Sequence, residues 1–241
     1  MKMLCLASAT MLALTATAYA AGTGAMSSMR AGSAAQHGVH VPPPGLSTLY
    51  DQNVGDSIYG WYSQTLSANP EEDEYIADDF VVPAGHRWAI KEVDVSGYYA
   101  GGNGPASYVN LLFWTDDAGL PSKKKGPAIK CDNLTPQGLD TGAFQIKLPK
   151  SCKVALAGSG KSGTVYWLTV QANMESLATS GYWSWEGNNN VAGNQGASWY
   201  YGGGLPVQDP KCLKRFETIQ DCNGRVEADV AFALFGKDSG G

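Results

Sequence analysis

The chain has 241 residues, with 17 Lys+Arg against 22 Asp+Glu, a net charge of -5, 44% hydrophobic residues and 30 Gly. This is the composition of a globular chain with a core, not of a disordered one. Its negative sign supplies no broad positive field for a phosphate backbone, which excludes DNA or RNA as the partner.

Met1-Lys2, an apolar stretch to Ala16, and Ala18-Tyr19-Ala20 have the positive start, apolar middle and small-residue end of a secretory signal, with cleavage after Ala20. Secretion or a periplasmic location follows as the expectation. No segment is long and apolar enough to predict a membrane span. Beyond Cys5 there remain Cys131, Cys152, Cys212 and Cys222, an even set without a CxxC pair. In an exported chain that pattern favours two disulfides over a zinc site. Of three connectivities, Cys131–Cys152 with Cys212–Cys222 closes the most local loops.

Residues 21–47, rich in Gly, Ala and Ser and ending near Pro42-Pro43-Pro44, lack hydrophobic periodicity and read as a flexible tether. A single domain is expected over 48–241. Residues 51–70 are mixed, and Glu71-Glu72-Asp73-Glu74 reads as a solvated acidic run. From Tyr75 onward, short β-branched and aromatic runs alternate with turn clusters, which predicts strands at 75–82, 88–99, 108–115, 143–148, 153–156, 164–172, 182–186, 198–201 and 226–235. Helix is expected only as a turn near 213–219. Nine strands in one core predict an all-β fold, a two-sheet antiparallel sandwich with jelly-roll-like topology.

Ala77-Asp78-Asp79-Phe80-Val81-Val82-Pro83, then Trp88, Ile90, Val93, Gly97 and Tyr98, then Asp116 to Pro121, form an ordered pattern. It resembles exported bacterial β-sandwich proteins, some carrying C-terminal sorting signals, in which "ADDF…P" precedes "W.I..V…G.Y" and "D..GLP". The resemblance implies the fold and no particular activity. The last residues here, Phe235 to Gly241, show no apolar helix with a basic tail, so surface sorting is not expected.

The strongest functional lead is Tyr182-Trp183-Ser184-Trp185-Glu186, followed by Asn188, Asn190, Asn194 and Gln195 and then Trp199-Tyr200. Strand alternation puts Trp183 and Trp185 on one face and Tyr182 and Glu186 on the other. Aromatic rings stack on sugar faces while amides and carboxylates bond hydroxyls. The mixture therefore suits a glycan site made of Tyr182, Trp183, Trp185, Glu186, Asn188, Asn190, Trp199 and Tyr200. The alternative is that the tryptophans build the core.

No cofactor is implied, although Asp78 and Asp79 are candidates for a structural calcium or, more simply, for capping loop N–H groups. Of three histidines, His37 and His40 lie in the tether, and no G-x-S-x-G elbow accompanies His86, which argues against a serine hydrolase. A glycan hydrolase or lyase would need two carboxylates, for which Glu92, Asp94 and Glu186 qualify. The expectation is a non-catalytic glycan-binding protein. A polysaccharide-active enzyme and an adhesion or matrix-structural protein are the alternatives.

Overall fold

The computed structural model describes residues 28–29, 41–52, 59–190, 192–201, 207–224 and 229–240. The expected signal segment lies outside the described residues, as does most of the tether. Seventeen strands are present among the described residues, nearly twice the nine expected. They are β1 (Ser28–Met29), β2 (Ser47–Asp51), β3 (Tyr59–Tyr62), β4 (Gln64–Leu66), β5 (Glu74–Val82), β6 (Arg87–Val95), β7 (Gly97–Ala100), β8 (Tyr108–Thr115) and β9 (Ile129–Leu134). Then follow β10 (Phe144–Lys147), β11 (Val154–Ala157), β12 (Thr164–Met174), β13 (Tyr182–Asn188), β14 (Ala197–Tyr200), β15 (Glu217–Thr218), β16 (Asp229–Val230) and β17 (Phe232–Asp238). Two short helices, α1 (Leu177–Ser180) and α2 (Ile219–Asn223), complete the set. The helical turn expected over 213–219 is corrected: Pro210–Leu213 form a 3₁₀ turn, and α2 starts only at Ile219.

The protein is an all-β sandwich. One layer is a seven-stranded sheet ordered β15-β14-β5-β4-β12-β8-β9, with β5 also paired to β12. The other layer contains β10 and β11 end to end along one edge of β6, with β17 and β2 on the opposite side, and a second sheet in which β13 pairs with β3, β7 and β16. These two sheets fork from a common point. Ser96 N–H donates to the Ala231 carbonyl (3.3 Å), Ala231 N–H to Glu186 (2.9 Å), and Glu186 N–H to Ser96 (2.9 Å), a closed ring of three backbone bonds. β13 thus enters between the diverging β6–β7 and β16–β17 strands without leaving an orphaned group at the split.

The core between the layers draws Ile76 and Phe80 from β5, Trp88 and Val93 from β6, Leu168 from β12 and Phe232 from β17. In β5 the alternation sends Glu74, Ile76, Asp78 and Phe80 inward and Tyr75, Ala77 and Asp79 to the outer face. On that outer face a second cluster forms from Ala77, Leu112, Trp114, Trp167, Trp199 and Phe216. The acidic run is not uniformly solvated as expected, since Glu74 lies inside β5 at 2% exposure.

The motif residues have structural reasons. Trp88, Ile90 and Val93 are core. At Gly97 any Cβ would lie 2.8 Å from the Trp183 ring. Asp116 accepts from Trp167 Nε1 (2.9 Å) and from Gly119 N–H (3.2 Å), closing the turn that ends β8. Both expected disulfides are formed, Cys131–Cys152 and Cys212–Cys222, with Cα separations of 5.6 and 5.8 Å.

Candidate functional site

The aromatic residues singled out from sequence divide between two places. Trp183 and Trp185 are fully buried in the inter-sheet core, and neither ring can stack on a ligand. Their indole N–H groups are satisfied by the carbonyls of Gly142 (2.8 Å) and Ala231 (2.9 Å). This corrects their assignment to a binding face: in β13 both faces are covered, so alternation separates them from Glu186 without exposing either set. Tyr182 is half-buried and stacked on Tyr62 at 4.2 Å between ring centroids. Tyr200 is buried with its hydroxyl donating to Asn223 Oδ1 at 2.5 Å, and burial with the nearby Glu74 raises its pKa strongly. It packs with the Cys212–Cys222 bridge.

The polar loop after β13 is held from within. Asn188, 1% exposed, donates to the Gln52 carbonyl (2.6 Å) while its Oδ1 accepts from Asn190 N–H (2.9 Å). Asn188 is thus a structural tie, and Asn190, though exposed, is part of the same turn. Asp229 accepts from Ala192 N–H (2.6 Å) and Gly196 N–H (3.3 Å), and Asp79 from Asn194 N–H (3.0 Å) and Nδ2 (2.8 Å). Asp78, on the opposite face of β5, accepts from Gln52 Nε2 (2.6 Å), Val230 N–H (2.8 Å) and Asp79 N–H (2.9 Å). Asp78 and Asp79 therefore cap loop and strand N–H groups. Among the described residues no group of three His, Cys, Asp or Glu is arranged to hold a metal ion. Burial pushes Asp79 and Asp229 up to about 6, and raises Asp78 well above the usual carboxylate range with the Asp229 charge adding to it.

The candidate enzyme carboxylates are divided between two sheets. Glu92 and Asp94 project from the non-core side of β6, buried at 4% and 3%, and Glu186, buried at 1%, lies on β13 of the neighbouring sheet with its backbone N–H donating to Ser96 at the fork. Burial, then the neighbouring Asp94 charge, raises the Glu92 pKa.

A different surface brings aromatic rings within reach of solvent. On the outer face of the seven-stranded sheet, Tyr75 stacks on Trp199 at 4.9 Å, and Tyr201 meets both edge-on, at 6.2 and 5.3 Å. Tyr201 is 56% exposed, Tyr75 is half-buried, and Trp199 forms the 7%-exposed floor. The Lys123 ammonium lies 4.1 Å from the Trp199 ring centroid, a cation–π contact, and donates to the Lys214 carbonyl. The Trp199 Nε1–H is buried with no acceptor among the described residues. Burial and the Asp73 charge push the Tyr75 pKa up to about 12, so its hydroxyl stays neutral. Gln171 donates to the Glu74 carbonyl at 2.8 Å alongside Tyr75.

Trp199 is thus the expected residue that belongs to this platform, Tyr75 and Tyr201 were missed, and Lys123 belongs to a Lys123-Lys124-Lys125 run that reads from sequence as a solvated charge run with an anion contact as the lesser option. The alternation of 199 and 201 about the inward Tyr200 is a signal for Tyr201. Nothing local marks Tyr75. No family model, curated protein or solved structure matches the chain.

Proposed function

We propose that the chain is an exported, non-catalytic binding protein for an extracellular glycan, engaged on the outer face of the seven-stranded sheet. The observation that carries this reading is the open aromatic platform of Tyr75, Trp199 and Tyr201. Two phenol rings sit on a buried indole, the mixture of apolar faces and a few polar groups that sugar-ring recognition requires. Two disulfides suit an oxidising compartment, and no helix among the described residues is long and apolar enough to cross a membrane. The test is retention and product release on a panel of soluble and insoluble polysaccharides, with and without calcium. Retention without product, lost in Tyr201→Ala while the fold survives, is the expected outcome.

A second reading, a polysaccharide hydrolase or lyase, is favoured by Glu92 and Asp94 sharing the non-core face of β6, with the Glu186 backbone bonded to Ser96 at the end of that strand. Release of oligosaccharides that stops in Glu186→Gln or Glu92→Gln would move the protein to that class.

A further inference from the structure

The chain is acidic overall, yet six of its 17 basic residues fall in two short segments, Lys123-Lys124-Lys125 and Lys211 with Lys214-Arg215. The sandwich brings these segments, about 90 residues apart in sequence, against each other, with Lys123 donating to the Lys214 carbonyl. Between them opens a cleft of 530 Å³ lined by Leu120, Pro121 and Phe216 below and by Lys123, Lys124 and Arg215 at the rim. Phe216 packs on Trp199 at 5.5 Å, so the cleft continues the aromatic platform.

The charges in it are poorly compensated. Lys211 pairs with Asp209 at 3.4 Å and Arg215 Nε with Glu217 at 2.5 Å, whereas Lys123, Lys124 and Lys214 meet no carboxylate at ion-pair distance among the described residues. Asp117 is the one carboxylate in the lining. The Glu217 contact orients the Arg215 plane, and a guanidinium has further N–H donors for a second oxyanion. Donors thus outnumber acceptors around an apolar floor, the complement of a ring carrying an anionic oxygen group.

We propose that this cleft is an anion subsite and that the glycan is an acidic polysaccharide, its carboxylate or sulfate ester held by Lys123, Lys124 and Arg215 while a neighbouring ring lies on Tyr201 and Tyr75. This rests on the glycan-binding reading and narrows its substrate class.

The test measures retention of the protein on four polymers at two salt concentrations: polygalacturonate, its methyl-esterified form, a sulfated galactan and polyphosphate. Wild type is compared with Lys124→Ala/Arg215→Ala and with Tyr201→Ala. The expected result is salt-sensitive retention on a carboxylated or sulfated glycan, the two arms telling the ester from the carboxylate. It weakens by about tenfold for each charge-assisted contact removed, while the methyl-esterified polymer binds poorly. Equal retention of charged and esterified polymers, unaffected in Lys124→Ala/Arg215→Ala but lost in Tyr201→Ala, overturns the anion subsite and leaves glycan binding standing. Equal retention on polyphosphate, unaffected in Tyr201→Ala, overturns it in favour of a general polyanion surface. Retention on none of the four overturns the acidic-polysaccharide assignment, and the wider panel of neutral polymers then decides the glycan reading separately.

Discussion

Asp79 holds Asn194 twice, through the backbone N–H at 3.0 Å and through the side-chain amide at 2.8 Å. The strand β5 thereby fixes the loop that joins β13 to β14, and with it the approach of Trp199 to the outer face. Gly193 sits in the same turn at φ +97°, where a Cβ would lie 2.7 Å from the Asp79 carboxylate. Asp79→Ala is expected to destabilise by about 0.5–1.5 kcal/mol, the net worth of hydrogen bonds to the partly buried Asn194 donors. In hydrogen exchange the amides of residues 192–196 should open faster than those of β12. Unchanged protection there would show that the loop is held by other means.

Trp183 and Tyr201 should separate core from platform. Trp183→Ala is expected to cost about 3–5 kcal/mol, as for other buried large-to-small changes. Tyr201→Ala, at a side chain more than half exposed, should stay within about 0.5 kcal/mol of wild type and still lose glycan retention. Denaturant unfolding followed by binding checks both. Retention surviving in a folded Tyr201→Ala variant would count against the platform.

The buried carboxylates give the protein an inverted pH response. Asp73, Asp79 and Asp229 titrate near 6 when folded, against an ordinary value of 3.8, and burial raises Glu74 and Asp78 further. The folded state therefore binds protons that the unfolded chain has released, and stability falls as pH rises from about 4 through 6 and beyond. Melting temperature should be lower at pH 7.5 than at pH 5 at fixed ionic strength. Glu74→Gln, which removes one buried acid without changing shape, should flatten that decline and raise the melting temperature at pH 7.5. A melting temperature that climbs over this interval would falsify the assignment of these groups as costly when charged.

Removing either disulfide is expected to destabilise by roughly 3 kcal/mol on a chain-entropy account. The positions differ in consequence. Cys131 belongs to the main core, so Cys131→Ser/Cys152→Ser acts on the whole sandwich. Cys212 and Cys222 pack against Tyr200 at the margin, so Cys212→Ser/Cys222→Ser should first loosen residues 207–224, read as new proteolytic cleavage there.

The sequence carried the sandwich well where strands obey simple chemistry: the run Tyr108–Thr115 forms β8 with the expected bounds. It concealed β3 and β4 because Gly60, Ser63 and Gln64 interrupt the apolar pattern. Ser63 and Gln64 are nonetheless buried, tied by cross-strand bonds: Ser63 Oγ donates to the Val170 carbonyl at 2.5 Å and Gln64 Oε1 accepts from Trp183 N–H at 2.9 Å. The single expected strand over 88–99 is broken at Ser96, whose role depends on Glu186 and Ala231 arriving from far along the chain. The same limit applies to the site. Residues 181–201 contain its floor, Trp199, but Tyr75 and Lys123 reach it from other elements, and a strand covered on both sides gives no local sign of which ring meets solvent.

The ring of bonds joining Ser96, Ala231 and Glu186 ties the lengths of three strands to one another. Moving any one of them by a residue would reverse its inward and outward side chains and break two of the three bonds together. Insertions and deletions within β6–β7, β13 or β16–β17 would have to be matched in all three at once, whereas the loops between them carry no such obligation. Length variation compatible with this fold is therefore confined to the connections, and the fork acts as the ruler against which the sandwich is measured.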